Sequence, residues 1–167
     1  MARLKKHGTG FRLMHNDKPL KQSHLKVATD INAVAKILAW FDQFASCQLP
    51  HQFCVNCKVA LDEAFANVVD HAHQHLPKTT PIELELKLFA DRLEMRIWDH
   101  GEPFDLQAKL DALHQKGCTL LEETGRGLLL MEQFTDELSY QCLSDQRNCL
   151  FMGKRLVPVS QESPAIE

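Results

Sequence analysis

The alternation of apolar and polar positions changes period several times along the chain, and each change marks an element. Ser23 to Thr29 alternates as a strand through Leu25 and Val27. Asp30 then stands where a helix cap belongs, and Val34, Ile37, Leu38, Phe41 and Phe44 follow at three-and-four spacing, the apolar face of a helix. Pro50 opens a second, longer helix that the pattern carries to about His75, ahead of Pro77. Two period-two runs come next. Ile82, Leu84, Leu86 and Leu88 alternate with Glu83, Glu85, Lys87 and Phe89; Leu93, Met95 and Ile97 alternate with Glu94, Arg96 and Trp98. Joined by Ala90-Asp91-Arg92, they predict a hairpin with one apolar and one mostly charged face. A short helical stretch follows Asp99 to Asp105, then a polar loop around Lys116 to Thr124, then a helix over Gly125 to Phe134 with a glycine-marked start. Leu138 to Leu143 and Asn148 to Arg155 close the pattern as a second hairpin around Ser144-Asp145-Gln146.

A sheet that is apolar on one side needs helices on that side only, so the prediction is an α/β (α+β) two-layer sandwich. Residues 1–19 and 157–167 lack periodicity and read as flexible ends, which leaves one domain over 20–156.

Composition narrows the classes. Lys plus Arg is 19 against 22 for Asp plus Glu, a formal net charge of −3 that argues against a dedicated polyanion binder, so no direct nucleic-acid contact is expected. The 44% hydrophobic and 25% charged fractions belong to a folded globular chain rather than a disordered one. No apolar run approaches the roughly 20 residues of a membrane span. The basic start, Met1 to His7, is not followed by the apolar stretch of a secretory signal. The expectation is a cytoplasmic protein whose six cysteines are reduced thiols. Cys54, Cys57, Cys142 and Cys149 fall at apolar-pattern positions, as small buried hydrophobes do. The Cys54-x-x-Cys57 pair, with His51 before it, has no second pair at zinc spacing; two buried helix positions three apart account for it.

Three segments carry candidate chemistry. On the long helix, Glu63, Asn67 and His71 recur every four residues as one stripe, with Asp70 beside it and Cys54, Cys57, Leu61, Ala64, Phe65, Val68 and Ala72 opposite. Ala60 and Ala66 flank the stripe and leave room for something to approach the backbone. Alone, the stripe equally describes a solvated polar face. Asp99-His100-Gly101-Glu102-Pro103-Phe104-Asp105 leaves a strand end, where a carboxylate followed by glycine lets a flat ligand lie close and accepts a hydrogen bond from an exocyclic amine. Alone, it equally describes a turn. Thr124-Gly125-Arg126-Gly127-Leu128 opens a helix whose free N–H groups and dipole suit phosphate oxygens, with Arg126 adding charge. It is neither a Walker A motif nor a dinucleotide fingerprint, and a leucine-rich core stripe lies behind it.

In this order the segments resemble the N, G1 and G2 boxes of GHKL-type ATPases. Leu61-Asp62-Glu63-Ala64-Phe65-Ala66-Asn67-Val68-Val69-Asp70-His71-Ala72 is most similar to the N box of the bacterial anti-sigma factor serine/threonine kinases. Gly125-Arg126-Gly127-Leu128, followed by Met131 and by Phe134 to Leu138, is similar to their G2 region. The resemblance spans about residues 23–155. It implies a Bergerat-type fold with a mixed, mostly antiparallel sheet, ATP/ADP and Mg²⁺ as cofactors, Glu63 as catalytic base and Asn67 as a Mg²⁺ ligand. It further implies Asp99 reading the adenine amino group with Gly101 giving close approach, and Gly125 and Gly127 bordering the phosphates under a lid of about residues 106–124. Asp70, His71, Phe104, Arg126 and Leu128 complete the implied nucleotide-binding set. The implied partners are a sigma factor and a STAS-domain anti-anti-sigma protein, and such kinases often pair as homodimers. Two alternatives stay open: a nucleotide-responsive module that sequesters a partner with little phosphotransfer, and the ATPase module of a histidine-kinase-like system. Two departures bear on phosphotransfer more than on nucleotide binding. Glu122, Glu123 and Thr124 stand where a glycine pair or a basic residue is common, and His73 stands where tyrosine is frequent. His71, His73 and His75 are split around the helix by their spacing and read as a solvated helix end rather than a metal patch.

Overall fold

The computed structural model describes residues 18–45, 49–122 and 125–156. The ends read as flexible in the sequence lie outside the described residues except for Lys18 and Pro19. Strands β1 (Lys21–Ala28), β2 (Pro81–Leu88), β3 (Arg92–Asp99), β4 (Glu137–Cys142) and β5 (Asn148–Arg155) form one sheet in the order β1-β2-β3-β5-β4. Every neighbouring pair is antiparallel, which corrects the expectation of a mixed sheet. The reason lies in the connections. A single crossover helix returns the chain for a parallel strand. Here β1 and β2 are joined by two helices, α1 (Val34–Ala45) and α2 (His51–Asn67), which make a round trip, so that Ala28 pairs with Pro81. Helices α3 (Leu106–Gln115) and α4 (Arg126–Phe134) lie between β3 and β4.

The period-two runs set the two faces. Ile82, Leu84, Leu86, Leu93, Met95, Ile97, Leu150 and Met152 are buried against Ile37 and Phe41 of α1, Leu61 and Phe65 of α2 and Met131 of α4. Asp30 caps the entry to α1 as expected, its carboxylate accepting from Asn32 N at 3.0 Å across a short 3₁₀ turn, Ile31–Ala33. Trp40 Nε1 donates to Ser23 Oγ at 2.8 Å and pins α1 to β1.

The opposite face is charged but not fully solvated. Glu85 and Glu94 are each only 5% exposed. Arg96 sits opposite Glu85 in register and reaches both carboxylates, at 3.0 Å to Glu85 and 2.7 Å to Glu94, while Arg92 Nε meets Glu94 at 2.9 Å. The guanidinium groups also lie over Phe151 and Phe89, so long cationic side chains roof the face. A one-residue slip of β3 against β2 would break the Arg96–Glu85 pair and turn the apolar set outward, so that pair and the core specify the same register.

The cysteines divide by burial. Cys57 is fully buried and its thiol is pushed up to about 12 by burial; Cys54 and Cys149 are half-buried, and Cys142 is exposed on β4, unlike the expected interior position. No group of three or more metal-ligating side chains occurs among the described residues, and no helix among them is long and apolar enough to cross a membrane.

Helix α2 ends earlier than its pattern suggests. At Asn67 it passes into a π-helical turn, Val68–Ala72, closed by His73 N donating to Val68 O at 2.8 Å. The wider turn draws residues after Asn67 off the four-residue stripe, a local distortion that recurs at functional sites. Because α2 carries both core and candidate chemistry, Phe65, with no exposed surface, tests the coupling. Phe65→Ala is expected to lower unfolding free energy by about 3–5 kcal/mol in urea titrations, through lost transfer energy and the cavity left behind.

Candidate functional site

The three segments singled out in the sequence meet on α2 and its π turn. Glu63 and Asn67 are half-buried near the helix end. Gly127, in the first turn of α4, comes so close that a Cβ there would lie 2.7 Å from Glu63 Oε2 and 3.6 and 3.7 Å from Asn67 Nδ2 and Oδ1. Gly101 closes on the far end of the same segment, where a Cβ would collide with the carbonyl oxygen and Cβ of Ala72. Gly125 precedes α4 with φ 80°, a left-handed conformation natural to glycine, and Leu113 of α3 packs against it.

The polar groups at the two glycine contacts differ in what they leave open. Asp99 ends β3 with only 3% exposure. Its Oδ1 accepts from Gly101 N at 2.8 Å and from Asn148 Nδ2 at 3.0 Å, and Asn148 Nδ2 also donates to the Gly101 carbonyl at 2.8 Å. The Oδ2 atom takes no hydrogen bond from a described residue. Tyr140 Oη is buried without a partner among the described residues. Burial, then the Asp99 charge, pushes its phenol well above the usual range. One carboxylate oxygen and one phenol oxygen near it are therefore uncommitted.

At the other contact, the Glu63 carboxyl is pushed up by burial and by neighbouring Asp62, with Arg126 opposing. Neither Glu63 nor Asn67 makes a side-chain hydrogen bond with a described residue. The first intrahelical bond of α4 runs from Leu129 N to Gly125 O at 3.2 Å. The N–H groups of Arg126, Gly127 and Leu128 thus precede the helical ladder, and Arg126 is exposed beside them.

Other expected residues fall differently. Asp70 and His71 are exposed on the π turn, and their side chains bond to no described residue. Phe104 stacks on Tyr140 at 4.4 Å between ring centroids, with Lys109 Nζ 4.4 Å from its own ring centre. A cleft of about 540 Å³ opens there, lined in part by Pro103, Phe104, Leu106, Ser139 and Tyr140, but not by Glu63, Asn67 or Gly127. Leu128 is half-buried against the core, and Ala60 is fully buried, so of the two small flanking residues only Ala66 stays accessible. His71 and His75 are exposed as expected, but His73 is 1% exposed, which corrects the reading of the series as a solvated helix end. The π turn swings its ring inward to meet Thr29 Oγ1 at 2.7 Å and His100 N at 2.9 Å.

Asn148, Thr29 and Tyr140 are the residues sequence reasoning missed, while His73 was singled out only as one of the histidine series and as a departure at a position where tyrosine is frequent. Asn148 alone left a signal: it is the polar residue opening β5, directly opposite Asp99 in the pairing.

Known proteins resemble the chain in family and in fold. The model of the histidine kinase-like ATPase domain family matches residues 27–154. The serine-protein kinase RsbW of Bacillus licheniformis is 36% identical over 88 residues, 50% of this chain and 55% of the relative. That of Staphylococcus epidermidis is 35% identical over 86 residues, 49% and 54% of the two chains. The Bacillus subtilis protein of the same name is 36% identical over 88 residues, 50% and 54%. The chain spans about half the length of these curated relatives. A solved structure of the RsbU and RsbW domains of a Mycobacterium tuberculosis protein superposes with a TM-score of 0.59 at 16% identity, covering 83% of this chain and 33% of that one, a likeness of fold.

The two glycine contacts predict different tolerances. At Gly127 an added methyl meets the end of a flexible carboxylate, so Gly127→Ala is expected to change stability by less than about 1 kcal/mol. At Gly101 it meets backbone, so Gly101→Ala is expected to cost about 1–3 kcal/mol in chemical denaturation.

Proposed function

The chain belongs to the histidine kinase-like ATPase domain family, and from that premise we propose that it binds Mg-ATP between α2, the Asp99 loop and the start of α4, and phosphorylates a protein partner on serine or threonine. The observation that carries the reading is the seating of Gly127 on Glu63 and Asn67, which joins the carboxylate–carboxamide pair to a helix N-terminus. The fit to an adenine nucleotide rests on Asp99. Its open Oδ2 suits the adenine amino group, whereas the carbonyl oxygen of guanine would face a negative charge. The partnerless Tyr140 hydroxyl lies near that carboxylate, where the polar edge of a base would satisfy it. The free N–H groups at the start of α4, with Arg126, suit the phosphates.

Asn67 supplies a neutral oxygen of the kind that, with substrate phosphates and waters, holds Mg²⁺. The metal, when bound, neutralises charge on the transferring phosphoryl group. Glu63 takes the proton of the attacking hydroxyl, and its raised pKa makes it a stronger base than a solvated carboxylate. Of the acidic pair that departs from the family pattern, Glu122 is exposed and solvated, and Glu123 lies outside the described residues. The relatives' name, serine-protein kinase, supports serine as acceptor. The partners we propose are a sigma factor, which the protein sequesters, and a STAS-domain anti-anti-sigma protein, which it phosphorylates.

Incubation of the protein with Mg-ATP and candidate STAS-domain partners is expected to yield phosphoserine on one of them; none on any partner overturns the kinase reading. Glu63→Gln is expected to slow transfer about 10²–10⁴-fold while leaving the Mg-ADP dissociation constant within about threefold. Deprotonated Glu63 is the active form, so the rate is expected to fall on the acid side with a midpoint above 4.5, the ordinary glutamate value. Asp99→Asn is expected to weaken Mg-ADP binding roughly 10- to 100-fold in a calorimetric isotherm, the cost of losing a charged hydrogen-bond acceptor.

A further inference from the structure

His73 is buried between the strands that frame the site and touches none of the groups assigned a role above. Its hydrogen bonds fix its protonation. The His100 amide can only donate, so Nε2, 2.9 Å away, accepts and carries no proton. The Thr29 hydroxyl has one proton and uses it on the Thr80 carbonyl at 2.8 Å, so toward Nδ1, at 2.7 Å, its oxygen accepts and Nδ1–H donates. The ring is neutral, and a relay runs from Thr80, just before β2, through Thr29, just after β1, to the peptide that joins Asp99 to His100.

We propose that His73 is a positioning residue for nucleotide binding: its neutral ring holds the Asp99–His100 peptide and so aims the Asp99 carboxylate at the bound base. This rests on the nucleotide reading above. The groups facing the ring are the Asp99 carboxylate on β3, whose charge favours an imidazolium, and the His100 ring, 6.4 Å away between centroids, whose charge opposes one. From the β1 and β2 ends come only the Thr29 hydroxyl and Thr80 carbonyl. Asp70, His71 and His75 on its own segment are exposed. Burial is the largest influence and holds the ring below its ordinary value of 6.5. A protonated Nε2 would set donor against donor at the His100 amide and break the bond.

Two substitutions separate positioning from bulk. In His73→Gln the terminal amide oxygen reaches the place of Nε2 and can accept from His100; in His73→Asn the shorter amide serves Thr29 and leaves the His100 amide unpaired. Mg-ADP affinity is expected to drop about tenfold in the Asn variant, the order of a lost buried hydrogen bond, and by less than about threefold in the Gln variant. On lowering the pH from about 7.5 to about 5.5, wild-type affinity is expected to weaken more than that of the Gln variant, because only the imidazole protonates in that range. Without nucleotide, hydrogen exchange at the His100 amide is expected to accelerate in the Asn variant and not in the Gln variant. Equal affinities in all three proteins, or losses in both variants that simply track their melting temperatures, overturn the proposal. If the wild type binds no Mg-ADP, the nucleotide reading fails. The proposal falls with it as a nucleotide role, and exchange at His100 then decides only whether His73 holds the peptide: protection restored by Gln sustains that bond, and identical exchange in the three proteins overturns it.

Discussion

The close approach of two glycines to one helical segment is the constraint on which the rest of the site depends. Gly127 rests on Glu63 and Asn67, and Gly101 rests on Ala72, a little over one turn further along. Loops remote in sequence are thereby registered against the same α2–π-turn segment, with no side chain between them to absorb error. The α2 segment is in turn fixed by its other face, where Leu61, Ala64 and Phe65 are fully buried against the sheet. Core packing therefore sets the position of the polar groups: a shift of α2 on the sheet would move the carboxylate, the carboxamide and both glycine seats together.

Around Asp99 the protein holds a nearly buried carboxylate by spending the neutral donors around it. Asn148 and the Gly101 amide take one oxygen, and the neutral His73 ring holds the adjacent peptide. A buried charge with half its acceptor capacity unused is costly unless something else arrives to use it. That asymmetry, with the unpaired Tyr140 hydroxyl nearby, separates this loop from an ordinary strand-end turn. At Glu63, burial raises the carboxyl's proton affinity. In the proposed reading the two carboxylates take different tasks, Asp99 recognition of the base and Glu63 proton transfer.

The charged face of the sheet has a separate role. Arg96 bridges Glu85 and Glu94 across neighbouring strands, and Arg92 adds a second bond to Glu94. Ion pairs in such a setting contribute modestly to stability, but they are sensitive to register. Arg96 also lies over Phe151, its register partner on β5, in the same β3–β5 pairing that sets Asp99 opposite Asn148.

Much of this was written in one dimension. Periodicity marked the strands and helices, because burying one face of an element imposes its own repeat of 2 or 3.6 residues on the chain. Glycine marked two of the three candidate segments, since a missing Cβ is itself a sequence feature, and the four-residue recurrence of Glu63, Asn67 and His71 marked the third. What periodicity cannot carry is the partner of a side chain that packs against distant elements. The end of α2 was read too far because the π turn at Val68–Ala72 preserves an ordinary-looking pattern while changing its pitch. The same turn buried His73 and left Asp70 and His71 exposed. The charged face could be read from period two, but the near-complete burial of Glu85 under Arg96 of the neighbouring strand comes from register. The all-antiparallel sheet, the Asn148 bond to Asp99 and the Thr29–His73–His100 relay were decided only when strands far apart in the chain closed into one layer, because a hydrogen bond depends on position in space and the sequence records only order.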